Sequence, residues 1–102
     1  MEQIYYERLQ ETIYHEVMEN GLRVYVLPKP NFRKTYATFA TKYGSVDNHF
    51  QVAGGEVTRV PDGIAHFLEH KMFEEPEGDI FATFASNGAS ANAFTSFDQT
   101  VY

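Results

Sequence analysis

A chain of 102 residues with 43% hydrophobic and 16% aromatic content suits one domain with a modest core, and is too apolar for a disordered segment. Its net charge of −6, with Arg33-Lys34 the only adjacent basic pair, argues against nucleic-acid binding, because no basic patch can neutralise phosphates. Cysteine is absent, so disulfides and thiolate ligands are excluded, and any metal must be held by imidazole and carboxylate.

The N-terminus lacks a basic start followed by an apolar run, and it is neither Arg/Ser-rich nor poor in acids. No stretch approaches the ~20 apolar residues of a membrane span. The expectation is a cytoplasmic protein with no membrane partner. Residues 1–11 read either as a short amphipathic turn or as an extended arm around Ile4, Tyr5 and Leu9. From Ile13 the period is two, with Ile13, His15 and Val17 alternating with Tyr14, Glu16 and Met18. Asn20-Gly21 follows, a hairpin signal because both central residues of a type I′ turn need positive φ. The return strand covers residues 22–27, with Leu22, Val24 and Val26 on one face, and Pro28 and Pro30 end it.

A third strand, rich in Thr, Tyr and Phe, is predicted over residues 34–43 and closed by Gly44-Ser45. Residues 46–61 form a loop containing Gly54-Gly55, with one short extended piece over 56–60. Pro61-Asp62-Gly63 starts a helix with Asp62 as N-cap, and that helix runs to about Phe73. An acidic, proline-containing connection over 74–78 leads to a second helix from residue 79 or 80 to 87. It buries Ile80, Phe81 and Phe84, and Asn87-Gly88 stops it. Residues 89–96 read as extended, and Thr100-Val101-Tyr102 opens a further strand with nothing to close it. The fold class is therefore α+β: an antiparallel sheet of N-terminal hairpin, third strand and C-terminal strands, with two short helices packed on one face. The unmatched last strand marks residues 1–102 as one partial domain of something longer. Among the remaining candidates, His15 reads as structural or partly exposed and His49 as a solvated loop residue. Tyr5, Tyr6, Tyr25 and Tyr36 read as core edge.

Residues 63–73 organise the rest. They contain His66-Phe67-Leu68-Glu69-His70, and on a helix His66, Glu69, His70 and Phe73 share one stripe. Ile64, Ala65, Phe67, Leu68 and Met72 fall on the opposite side, which can dock on a sheet while the imidazoles look into a cleft. Lys71 lies within that apolar side and either snorkels outward or meets an acid. Neutral imidazoles at i and i+4 can converge on one Zn²⁺ at ~2.0–2.1 Å each. Glu69 is then placed to take a proton from water that the metal has acidified. Peptide-bond hydrolysis is the chemistry this suits. The five-residue pattern is informative but not decisive by itself.

Several further blocks fall in register around it: Asn20-Gly21-Leu22-Arg23-Val24, Gly44-Ser45, Gly63-Ile64-Ala65-His66-Phe67-Leu68-Glu69-His70 with Phe73, Gly88-Ala89, Asn92-Ala93-Phe94-Thr95 and Gln99-Thr100-Val101-Tyr102. Across residues 14–102 the chain resembles the pitrilysin/insulinase-like zinc metallopeptidases, the inverzincins, a family that includes mitochondrial processing peptidase. It looks closest to bacterial cytoplasmic members, which read Glu-His-Lys where many relatives have Glu-His-Met. The resemblance implies that His66 and His70 bind zinc and that Glu69 is the general base. It also implies that residues 91–95 form an edge strand on which an extended peptide adds itself, making Asn92, Ala93 and Phe94 substrate-binding residues. Two features of the family fall outside this sequence: a third ligand, a glutamate on a later helix beyond Tyr102, and a second similar domain that completes the cleft. Glu74 is a poor substitute ligand, two turns from His66 and ~12 Å along the axis. Weak or absent zinc and no activity are therefore expected of these residues alone. A homodimer, or a heterodimer with a related subunit, remains open.

Two rival readings also stand. One is a non-catalytic peptide-binding subunit or module of the same family, against which the intact His66, Glu69 and His70 count. The other is a small stand-alone interaction domain with incidental histidines. Chelator-inhibited peptide cleavage separates the peptidase from both, and binding without cleavage marks the module.

Overall fold

Alternating residues at the N-terminus make a sheet because each strand finds its partner a short turn away. In the computed structural model, which describes residues 1–102, the chain divides into two compact units, Met1–Tyr36 and Ala37–Tyr102. The first holds an antiparallel sheet of β1 (Glu2–Tyr6), β2 (Glu11–Val17) and β3 (Arg23–Val26), in that order. The ambiguous N-terminal stretch is thus a strand, with Ile4 opposite Ile13. The turn after β2 is not type I′. Gly21 sits at φ 86°, whereas Asn20 does not enter the positive-φ region and instead accepts the Leu22 N–H on its Oδ1 at 3.0 Å. Bonds from Gly21 N to Met18 O and from Met18 N to Leu22 O, both 2.8 Å, define a three-residue loop with a left-handed glycine. Lys29 donates to the Glu11 carboxylate and holds the segment after β3 against β2. His15 stacks on Tyr25 across the sheet, with centroids 4.5 Å apart. Tyr5, Tyr6, Tyr25 and Tyr36 are exposed, not core edge, Tyr25 even though His15 covers one face of its ring.

The second unit holds β4 (Ala40–Thr41), β5 (His49–Gln51), β6 (Val57–Arg59), α1 (Ile64–Met72), β7 (Glu74–Glu75), β8 (Gly78–Asp79), α2 (Ile80–Ser86), β9 (Phe94–Thr95) and β10 (Thr100–Val101). The class is α+β, with every strand pair antiparallel. The N-terminal hairpin has its own sheet, and the later strands pair as β4-β10-β9. The expected third strand shrinks to Ala40–Thr41, since a strand extends only as far as its partner. Here the partner is the short β10, lengthened by reciprocal 2.9 Å bonds between Phe39 and Tyr102. The stretch expected to lack a partner, Thr100-Val101-Tyr102, is the centre of this sheet. Residues 89–96 are extended only at Phe94–Thr95.

Packing is tight where Gly44 crosses the chain after β9. A Cβ there would stand 2.4 Å from the Phe97 carbonyl oxygen, so only glycine fits. Ser45 N and Val46 N continue the contact by bonding Ser96 O and Phe97 O. Thr100, 2% exposed, donates from Oγ1 to Tyr43 O at 2.8 Å.

The loop over 46–61 is a hairpin of β5 and β6, which places His49 on a strand, still exposed. Asp62 does not cap α1. Its Oδ1 accepts from Asn48 Nδ2 at 2.7 Å, and the cap position falls to Gly63 at φ 83° with no side-chain bond. The acidic connection forms the β7–β8 ladder, and Asp79 caps α2 by accepting Phe81 N at 2.8 Å. Asn87 ends α2 and Gly88 follows at φ 72°.

The two helices differ from expectation in what they bury. The side of α1 meant to dock stays largely open, with Phe67, Leu68 and Met72 exposed, and Ala65 and Glu69 face β9 and β10 instead. Ala65 is small enough to bring the helix close, and Glu69 finds a hydroxyl partner there. No residue of α2 is buried, and Phe81 and Phe84 remain exposed, because only Phe73 stacks on its apolar side. No helix is long and apolar enough to cross a membrane.

Candidate metal centre

One helix positions three donors. Phe67 N bonds Gly63 O at 2.9 Å to start α1, and Phe73 N closes it on His70 O at 3.2 Å. Between those ends the helical repeat brings His66, Glu69 and His70 together, as the spacing predicted, with one ligand atom of each within 4.8 Å of the others. The two rings are stacked with centroids 4.8 Å apart, and their Nε2 atoms approach to 2.9 Å. Both imidazoles are exposed, whereas Glu69 is only 9% exposed. The pair of imidazoles is open to solvent and the carboxylate beside it is sheltered.

The donor set fits a zinc ion. Two nitrogens at ~2.0–2.1 Å from a tetrahedral centre stand ~3.3 Å apart, so small ring rotations from 2.9 Å suffice. The remaining acids of the helix and its exit do not join them. Glu74 is held by Lys71 at 2.6 Å, which also settles where Lys71 goes, its ammonium lying 5.5 Å from the Phe67 ring centroid.

A cavity of ≈ 350 Å³ opens beside the donors, walled by Glu69, His70, Phe73, Glu74, Asn92 and Ala93 among others. Asn92 and Ala93 line this cavity but precede the strand, which covers only Phe94–Thr95 of the edge strand expected over residues 91–95. Phe94 is on β9, half exposed, and is not a wall of the cavity. β9 pairs with β10 alone, so its other edge is free. Beneath the site Phe73 stacks on Phe81 at 4.7 Å and leans on Tyr102 at 5.8 Å. The Tyr102 phenol has its pKa raised above 10.0, first by burial and then by the nearby Glu69 carboxylate. Two contacts of Glu69 escaped the sequence reading: Thr95 Oγ1 donates to its Oε2, and Tyr102 lies within its electrostatic reach. Strand alternation carried the signal for the first, since Phe94 and Thr95 must face opposite ways.

An α+β fold that sets His-x-x-Glu-His on a helix, above a sheet edge and a polar cavity, defines a metallopeptidase-type module. Residues 50–102 match the insulinase family, peptidase family M16, and the chain belongs to that family. It is 66% identical over 100 residues to the uncharacterized zinc protease YmfH of Bacillus subtilis (strain 168), covering 97% of this chain and 23% of that one. It is 30% identical over 90 residues to human insulin-degrading enzyme, covering 83% of this chain and 8% of the relative. The crystal structure of an M16-like peptidase from Alicyclobacillus acidocaldarius superposes with a TM-score of 0.85 at 52% identity, over 97% of this chain and 23% of that one. The chain therefore spans about a quarter of the length of the bacterial relatives named here.

Proposed function

We propose that these residues are the metal-binding part of a zinc-dependent endopeptidase acting on extended peptides. The observation that carries the reading is the convergence of the His66 and His70 Nε2 atoms beside the sheltered Glu69 carboxylate. Zinc held by the two imidazoles and a third protein ligand would supply Lewis acidity, acidifying a water and polarising the scissile carbonyl. Glu69 takes the proton of the attacking water and returns it to the leaving amine. The free edge of β9 receives the peptide as an added strand, which gives affinity with little dependence on sequence, while Asn92 and Ala93 line the adjacent cavity. In this reading residues 1–102 form one partial domain of a longer peptidase, with the third ligand supplied from elsewhere in it. A cytoplasmic setting belongs to the same reading, and a cysteine-free sequence fits a reducing compartment.

Glu69→Gln in the full-length protein tests it, because the amide keeps the shape and cannot accept the proton. Peptide cleavage, measured with a quenched fluorescent substrate, should fall at least about a hundredfold while zinc content stays unchanged. Undiminished cleavage would remove Glu69 from the role of base.

A further inference from the structure

We infer that Thr95 is a positioning residue for Glu69, so that the strand offering its edge to peptide also sets the orientation of the base; this rests on the peptidase reading above. Glu69 is the one ionisable side chain of the chain classed as buried, and a sheltered carboxylate must be hydrogen-bonded. The two histidine Nε2 atoms face each other at 2.9 Å, and the hydrogen bond to the Glu69 carboxylate comes from elsewhere. Thr95 supplies it, donating from Oγ1 to Glu69 Oε2. The carboxylate oxygen accepts this bond and the hydroxyl donates it.

Thr95 is itself held in place. Its backbone is opposite Thr100 in the β9–β10 pair, and Thr100 is anchored by its own hydroxyl on Tyr43 O at 2.8 Å. Rigid contacts thus run from the sheet centre to a single carboxylate oxygen. With Oε2 engaged by Thr95, the carboxylate is restrained and Oε1 is the oxygen left for a water proton in the base role. Half-buried Thr95 faces α1 while Phe94, its neighbour on the strand, is exposed, so the hydroxyl is aimed by strand alternation.

The test uses the full-length protein carrying Thr95→Val, which keeps the shape and removes the hydroxyl, and Thr95→Ser, which keeps the hydroxyl. Valine should lower kcat about tenfold to a hundredfold, with KM and zinc stoichiometry within twofold of wild type, and serine should restore most of the loss. In the crystal structure of the valine variant the Glu69 carboxylate should leave its wild-type position. Equal kcat in wild type and Thr95→Val, a loss of zinc that matches the loss of rate, or no rescue by serine would overturn the inference. Should the wild-type protein cleave no peptide in the presence of zinc, the peptidase reading fails, and the crystal structure still decides. A Glu69 carboxylate unmoved in Thr95→Val overturns the positioning role, and a displaced one supports it.

Discussion

The two three-stranded sheets of this chain are held together differently. β1, β2 and β3 run to 5, 7 and 4 residues and are joined by short turns, so pairing follows directly from local alternation. β4, β10 and β9 have two residues each, and β4 meets β10 across 59 positions of sequence. So few ladder bonds cannot offset a long loop closure unaided. The second sheet depends on specific anchors: Thr100 bonded to Tyr43, the close crossing at Gly44, and α1 seated through Ala65 and Glu69. The proposed chemistry is built on this second, anchored sheet. A long-range sheet brings distant groups together, and each anchor is then a point at which the site can be lost.

The largest expected effect that would test this contrast comes from Gly44→Ala in the full-length protein. The new Cβ would stand 2.4 Å from Phe97 O and 2.5 Å from Asp98 N, both backbone atoms that cannot rotate away. A loss of roughly 2–4 kcal/mol in urea unfolding, with cleavage impaired, is expected. An unchanged midpoint would show that the crossing is not an anchor. The same change in the first sheet should be milder. Gly21→Ala keeps φ near 86° but meets nothing within 4 Å, so only the left-handed strain remains, about 1 kcal/mol, with cleavage unchanged. Equal effects at both glycines would erase the distinction between the sheets.

The smallest effect concerns Tyr102. Its raised pKa means that the folded chain holds the phenolic proton more tightly than the unfolded one. That contribution is full below the ordinary tyrosine range and fades as pH rises through the raised value. Glu69→Gln should bring the phenol part of the way back toward 10.0, since burial, the larger cause, remains. Ultraviolet titration, with Tyr102→Phe to identify the signal, checks this. No movement would mean that the phenol does not sense the carboxylate.

What could be read from the sequence divides along the same line. The hairpin around Asn20-Gly21 and the donor stripe of α1 were legible because their geometry depends on neighbours a few residues away. The turn type was not, because Asn20 spent its side chain on Leu22 N. The extent of the third strand, the partner of residues 49–51 and the central place of Thr100 depend on contacts far along the chain, which no periodicity encodes. Composition overstated the interior. Ala65 is the one hydrophobic residue classed as buried, while Phe67, Leu68 and Phe84 present apolar surface that these residues do not cover. Asp62 looked like a cap until Asn48, distant in sequence, claimed it.

The central position of β10 also bears on when the chain can fold as it leaves the ribosome. The N-terminal sheet is complete once Val26 has emerged, but β4 and β9 have no common neighbour until Thr100 and Val101 have been made. Until that moment β9, whose Thr95 braces the acid of the histidine helix, has no partner in its sheet.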